Sequence, residues 1–349
     1  MKSFGYAAAS KAAPLAPWSF DRREPNPDDV VVAIDYCGIC HSDIHQARGE
    51  WGAMLFPMVP GHEIIGRVTA VGSAVTRFKP GDLAAVGVIV ESCLHCTNCR
   101  NNLEVYCSDG GARDTYNAVL RDGSRTYGGY SDTIVTPEHF VHTLKPGIDL
   151  AATAPLLCAG ITTYSPLRHW GVGPNKKVGV IGLGGLGHLA LKFAHAFGAH
   201  VVQFTTSESK IADAKKLGAD EVVLSKDKAA MQKHAGSFDF ILDCVSAPHD
   251  INAYLALLQL DATLCLVGLP DKPLAVSPFS LLANRRSFAG SAIGGMKETQ
   301  EMLDFCADKG IVADIELTTY DKLNEAYDRV LRNDVKYRFV LDNKSLQQS

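Results

Sequence analysis

The chain has 349 residues, 46% of them hydrophobic and 21% charged, enough to bury substantial cores and to divide into two domains. Its 38 acidic and 34 basic side chains leave a formal charge of −4, and no Lys/Arg cluster resembles a track for a phosphate backbone, which argues against nucleic acid as a partner. No run approaches about 18 consecutive apolar residues, so no membrane-spanning helix is predicted and a soluble cytoplasmic protein is expected.

The first predicted strand runs from Val30 to Asp35 and breaks at Gly38 into the Cys/His-rich segment CGICHSDIHQ. Further β-prone pieces follow at Ile64 to Val71 and Leu83 to Val90, punctuated by Gly72, Pro80 and Gly81, which implies a sheet-rich and loop-rich first domain. Next comes ESCLHCTNCRNNLEVYCSDG, where Cys93, Cys96, Cys99 and Cys107 are separated by two, two and seven residues. That spacing lets one short loop wrap four thiolates around a tetrahedral zinc with Zn–S bonds of roughly 2.3 Å. Disulfides are the alternative. Neither end of the chain reads as an export signal, however, and a reducing cytosol disfavours them. Four thiolates leave no open position, so this zinc is expected to hold the loop together and do no chemistry.

The character changes near Pro155. Lys177 to Ile181 reads as an apolar strand, Gly182 to Gly187 as a turn, and His188 to Phe197 as a helix. Val201 to Phe204 is the next strand, Lys210 to Leu217 a helix, and Glu221 to Leu224 a strand. Phe238 to Cys244, Ala253 to Leu260 and Thr263 to Val267 continue the alternation. Strands separated by helices call for parallel pairing and right-handed crossovers, hence a doubly wound α/β sheet over about residues 153–290. In the tail, Glu298 to Asp308 reads as a helix and Tyr337 to Leu341 as a strand that could return to the first domain.

Gly182, Gly184 and Gly187 form G-x-G-x-x-G between the predicted strand and helix, with Leu183, Gly185 and Leu186 completing the loop. The first glycine permits a tight turn, the second lets a pyrophosphate approach the backbone, and the third allows helix and strand to pack closely. The phosphates would meet free N–H groups at the helix start. A purely structural turn would account for one or two of these glycines, but not for all three in this context. An NAD site usually carries Asp or Glu about twenty residues farther on. Here VVQFTTSESK offers Thr205, Thr206 and Ser207, with Lys210 nearby. Hydroxyls and a cation accept a 2′-phosphate that a carboxylate would repel, so NADP(H) is favoured. Against this, Glu208 could turn inward, Ser207 could cap the following helix, and Lys210 could face solvent.

A second metal constellation is dispersed. Cys40, His62 with Glu63, and Cys158 lie far apart in sequence, and no spacing brings them together. Two thiolates and one imidazole would leave a fourth position for water or a substrate oxygen. A single cysteine in apolar context, such as Cys158, is ordinarily a core residue, and Cys244, Cys265 and Cys306 are read that way.

Through CGICHSDIH, PMVPGHEIIG, the four-cysteine loop, GLGGLG, GSAIGGMKETQEML and DVKYRFV, the chain resembles zinc-dependent medium-chain alcohol dehydrogenases over almost its whole length. Within these it is most similar to the cinnamyl-alcohol-dehydrogenase-like, NADP-dependent aldehyde reductases. The resemblance implies a GroES-like catalytic domain from residues 1–152 and 291–349 around a Rossmann domain at 153–290. It implies that Cys40, His62 and Cys158 bind catalytic zinc, with Glu63 approaching the metal during ligand exchange. Ser42 and His45 match the family's proton-relay positions, against the plain readings of a turn hydroxyl and a surface histidine. Thr162, Ser291 and Ile293 match positions near the cofactor. Arg338 matches a phosphate contact, or else an interdomain salt bridge. His41 departs from the basic phosphate contact of some relatives. Trp51, Leu55 and Trp170 are candidates for an apolar substrate wall, with core packing the alternative for the last two.

The expected activity is reversible reduction of aliphatic or aromatic aldehydes to primary alcohols with NADPH, using two Zn2+ per chain. Oxidation of a polyol or secondary alcohol is the competing enzyme reading, and a nucleotide-sensing or structural zinc protein the competing class. Small-molecule substrates are the expected partners, together with a homodimer suggested by the family.

Overall fold

The computed structural model describes residues 1–346, in two compact units. One comprises residues 1–158 and 294–349, the other 159–293. The sequence had placed the divisions a few positions earlier, near 153 and 290. The 3-10 turn Ala154–Leu157 and Cys158 stay with the first unit, where four consecutive residues of that turn are buried.

The continuous unit is built on a six-stranded parallel sheet. Its strand order is Glu221–Leu224, His200–Thr205, Lys177–Ile181, Phe238–Asp243, Leu258–Leu266, Ser287–Gly290. The order starts in the middle, runs outward, then crosses back between Lys177–Ile181 and Phe238–Asp243, the doubly wound arrangement with its switch point between those two strands. Both faces of the inner strands are covered, so they read as nearly unbroken apolar runs. Val178, Val180, Val202, Ile241 and Leu264 are fully buried. Observed helices Gly187–Ala196 and Ile211–Lys216 fall within a residue or two of the predicted ones. The expected helix from Ala253 to Leu260 is shorter, at Ile251–Leu255, because Leu258 already opens the next strand beside Phe238. Asp250 fixes the helix start by accepting the Asn252 N–H.

The discontinuous unit carries a mainly antiparallel sheet ordered Ile315–Thr318, Arg338–Asp342, Asp29–Gly38, Ile64–Val71, Leu83–Val86, Val141–Thr143, with Thr133–Pro137 also paired to Asp29–Gly38. The C-terminal strand does return to the first part of the chain, setting Val340 opposite Gly38 and Leu341 opposite Cys37. Its core gathers Val30, Val32, Ile34, Ile64, Val68, Val86, Leu323 and Leu341. The single strand expected from Leu83 to Val90 is two strands in separate sheets, Leu83–Val86 and Ile89–Glu91. The chain breaks between them at Gly87, where a Cβ would meet the Leu157 carbonyl at 3.2 Å. The tail helix is Met296–Lys309 and ends at Gly310 in the left-handed conformation. Among the described residues no single helix is long and apolar enough to cross a membrane.

The glycine loop shows why each glycine stands where it does. Gly182 has φ of +86°, and a Cβ on Gly187 would lie 2.1 Å from the Gly182 carbonyl oxygen. A Cβ on Gly184 would meet nothing within 4 Å. Gly187→Ala should therefore lower the unfolding free energy by about 1–3 kcal/mol, whereas Gly184→Ala should leave the denaturant midpoint nearly unchanged. Equal midpoints for the two variants would contradict this packing account.

Candidate active site and metal centres

Three separate segments of the discontinuous unit bring a ligand set together. Cys40 caps helix His41–Ala47, directly after strand Asp29–Gly38. His62 and Glu63 precede strand Ile64–Val71, and Cys158 follows the turn Ala154–Leu157. The ligand atoms of Cys40, His62, Glu63 and Cys158 all lie within 4.8 Å of one another. The two sulfurs are 3.9 Å apart, close to the roughly 3.8 Å edge of a tetrahedron with 2.3 Å Zn–S bonds. Glu63 Oε2 is buried without a hydrogen-bond partner, an orphaned acceptor in the same group. The donor set fits zinc.

A buried carboxylate sets this geometry. Asp43 accepts the Cys40 N–H at 2.9 Å, the Gly61 N–H at 3.0 Å and the Tyr130 hydroxyl at 3.0 Å. Its Oδ1 also lies 3.1 Å from His62 Nδ1. A proton on Nδ1 leaves the Nε2 lone pair for the metal, the carboxylate–histidine–zinc arrangement. Burial alone would lower the His62 pKa, but Asp43 and then Cys40 outweigh it and raise the value in the metal-free protein. Cys40 is shifted the other way, well below the ordinary thiol, by the Cys158 thiol and by Arg338. A thiolate is the form a metal binds.

Arg338, 275 positions farther along the chain, is buried in an ion pair with Glu63 inside the same unit. Burial pushes the Glu63 carboxyl up to about 7 against the pull of Arg338. Gly38 completes the pocket, since a Cβ there would lie 1.9 Å from Glu63 Oε2. Nearby, the Ser42 hydroxyl is 3.6 Å from Cys40 Sγ. His45 pairs through Nδ1 with Glu50, and its ring stacks on Trp51 at 4.9 Å. Trp51 is 39% exposed and Leu55 half-buried. Trp170 stacks instead on Phe240 within the other unit, at 5.5 Å, as a packing residue. His41 is exposed at the start of its helix.

The residues that the sequence did not single out are Asp43, Tyr130 and Glu50. Asp43 was within reach, because it stands three residues after Cys40 at the third position of the helix, where an acidic side chain reaches back to the capping N–H. Tyr130 carries no such local signal.

The sulfurs of Cys93, Cys96, Cys99 and Cys107 also lie within 4.8 Å of one another, and none of the ten cysteines is disulfide-bonded. Cys93 and Cys99 are 3.8 Å apart. Main-chain N–H groups are already turned toward the sulfurs, as from Cys96 to Cys93 at 3.2 Å and from Cys99 to Cys96 at 3.5 Å. The Ser108 hydroxyl and the Cys99 and Ser108 N–H groups lower the Cys96 thiol to about 5. This donor set also fits zinc, with every position filled by sulfur.

In the continuous unit, the glycine loop follows strand Lys177–Ile181, and Thr205 ends the adjacent parallel strand with Thr206 and Ser207 just beyond it. Thr205 is buried, Thr206 and Glu208 are exposed, and Lys210 Nζ donates to the Leu183 carbonyl at 2.7 Å. Lys210 thus ties the two segments together, while Ser207 makes no side-chain cap. Thr162 is buried in helix Ala159–His169. Ser291 and Ile293 follow the last strand, with the Ser291 N–H on the Leu266 carbonyl and Ile293 at φ of +38°. Cys265 is buried in the sheet and Cys244 half-buried beside it; Cys306 is buried in the tail helix.

Residues 26–146 match the family model described as alcohol dehydrogenase GroES-like domain, and residues 185–308 match zinc-binding dehydrogenase. The chain is 57% identical to aldehyde reductase YahK of Escherichia coli (strain K12), over 99% of each sequence. Its structure superposes on a cinnamyl alcohol dehydrogenase of Sorghum bicolor with a TM-score of 0.96, at 41% identity over 100% of both chains. The cinnamyl alcohol dehydrogenase of Helicobacter pylori complexed with NADP(H) gives 0.92, at 39% identity over 99% of both. The fold, the two cysteine clusters and these full-length similarities agree: the chain belongs to the zinc-dependent medium-chain alcohol dehydrogenases and is closely related to the cinnamyl alcohol dehydrogenases.

Proposed function

We propose that this chain is an NADP-dependent enzyme that reversibly reduces aliphatic or aromatic aldehydes to primary alcohols. The observation that carries the reading is the convergence of Cys40, His62 and Cys158, with Ser42 beside them. When bound, zinc supplies Lewis acidity to polarise the carbonyl, and the reduced nicotinamide supplies the hydride. Cys40, His62 and Cys158 hold the metal, and Asp43 keeps the imidazole in the ligating orientation. Glu63, held by Arg338, is the carboxylate available during ligand exchange. Ser42 donates the proton that converts the developing alkoxide into alcohol. His45, its ring oriented by Glu50 and still reached by solvent, would resupply that proton. Trp51 and Leu55 offer an apolar wall to the aldehyde substituent.

Gly182 to Gly187 would receive the pyrophosphate, and Thr205, Thr206, Ser207 and Lys210 the 2′-phosphate. Thr162, Ser291 and Ile293 are proposed nicotinamide-side neighbours. Lys210 can turn from the Leu183 carbonyl toward a phosphate, an exchange favoured by charge. Cys93, Cys96, Cys99 and Cys107 hold a structural zinc. Ten cysteines without a disulfide suit a reducing cytoplasm. The balance of charge supports neither nucleic acid nor a membrane surface as a partner.

A homodimer is proposed across the outer strand Ser287–Gly290, which pairs on one side only, next to Phe279 and Leu282 at 81% and 73% exposure.

Three outcomes test these assignments. Metal analysis should find two zinc ions per chain, falling to one in Cys158→Ser. Aldehyde reduction should fall by more than the roughly 10–100-fold typical of losing a residue that merely holds a ligand, while NADPH affinity changes little. Full turnover by Cys158→Ser would remove that residue from the site, and equal or better turnover of polyols and secondary alcohols would overturn the substrate class. Thr206→Asp should weaken NADPH relative to NADH by on the order of tenfold; an unchanged ratio in binding titrations would reject this ribose pocket. Phe279→Glu should reduce the solution mass toward that of one chain by light scattering, and a wild-type monomer would dispose of the dimer.

A further inference from the structure

The segment that leaves strand Phe238–Asp243 forms one wall of the switch-point crevice. The Cys244 N–H donates to the Ile181 carbonyl at 3.0 Å. Val245 packs so closely that a Cβ on Gly182 would lie 2.7 Å from its Cγ2, and a Cβ on Gly268 would lie 2.2 Å from its carbonyl oxygen. Residues 244 and 245 are therefore wedged between the glycine loop and the end of strand Leu258–Leu266. In open α/β sheets this is where ligands seat.

Two side chains fix this wall from behind. Asp243, fully buried, accepts the Val245 N–H on Oδ1 at 3.0 Å. Its Oδ2 lies 2.9 Å from His249 Nε2, an ion-pair contact bent away from the line of a good hydrogen bond. The other nitrogen of the same ring, Nδ1, is 2.9 Å from the Ala247 carbonyl oxygen. A carboxylate and a carbonyl are both acceptors. A neutral imidazole has one N–H and no charge, whereas imidazolium can donate to the carbonyl and at the same time pair its charge with the carboxylate. The charged groups facing His249 are Asp243 from the strand and Asp250 from the start of helix Ile251–Leu255. The Tyr254 ring stands edge-on at 5.9 Å, its phenol kept neutral by burial. The contact with Asp243 outweighs the cost of burial and raises the His249 pKa above its ordinary value. With its side chain 16% exposed, the ring can still exchange its proton with water.

We propose that His249 is a positioning residue for the nicotinamide cofactor: as imidazolium it ties residues 243–249 into the wall beside the glycine loop, and losing its proton loosens that wall and weakens cofactor binding. This rests on the NADP reading given above. A proton bound more tightly by the folded wall stabilises it fully below the ordinary histidine pKa. That contribution is lost as pH rises through the higher folded value.

The test titrates NADPH into the zinc-loaded full chain from about pH 6 to about pH 9, for wild type, His249→Gln and His249→Asn. Neither amide titrates, and neither carries a charge to pair with Asp243. Wild-type affinity should fall by about fivefold across the range beyond any fall in the variants, with the curves converging at the alkaline end. Titration of Lys210 and of the cofactor phosphate is common to all three proteins and cancels. Parallel curves would overturn the inference while leaving the NADP reading intact. Failure of wild type to bind NADPH at any pH would overturn both. Histidine-labelled NMR on wild type is a check that depends on neither variant: a His249 pKa at or below the ordinary value sinks the proposal even if both variants fail to fold.

Discussion

The reactive corner depends on one carboxylate being buried. Asp43 is fully inaccessible to solvent, and such a group is tolerated only when its lone pairs are occupied by donors. The donors come from the start of a helix, the turn at Gly61, the imidazole of His62 and the phenol of Tyr130. Satisfying Asp43 therefore places Cys40 and His62 with respect to each other before any metal arrives. Zinc then meets a site whose geometry the fold has largely paid for.

A second buried charge pair works to a different end. Arg338 and Glu63 are both shielded from water, where breaking a pair costs far more than forming it gains. Arg338 thereby keeps the Glu63 carboxylate beside the sulfurs of Cys40 and Cys158. The missing side chain of Gly38 makes room for this carboxylate, whose place thus depends as much on an absent Cβ as on its ion pair.

The parallel-sheet unit was largely legible in the sequence because its local signals agree. Apolar runs mark the buried strands, helices separate them, and G-x-G-x-x-G falls at a turn whose first glycine takes a positive φ and whose third packs against the first. The reading failed where a strand follows a helix without punctuation, at Leu258, and where a strand changes sheets within a few residues, at Gly87. The four-cysteine loop was legible because all its ligands are close in sequence. The other centre was not, since Cys40, His62 and Cys158 meet only through tertiary packing and were assembled from family resemblance. Arg338 shows the same difficulty: a basic residue on a strand does not announce whether it faces a phosphate or a carboxylate, and here it faces Glu63. Tyr130 reaches Asp43 across 87 positions with no periodic signal to mark it.

The return of Arg338–Asp342 to pair with Asp29–Gly38 has a consequence for biosynthesis. The ion pair that secures Glu63 spans 275 positions, so its second half is synthesised long after its first. The nucleotide-binding unit, continuous in sequence, can close during translation, because all its sheet partners have emerged by residue 293. Closure of the reactive corner must wait for residue 338, so a chain stalled short of that point carries a complete parallel sheet but lacks the arginine behind Glu63.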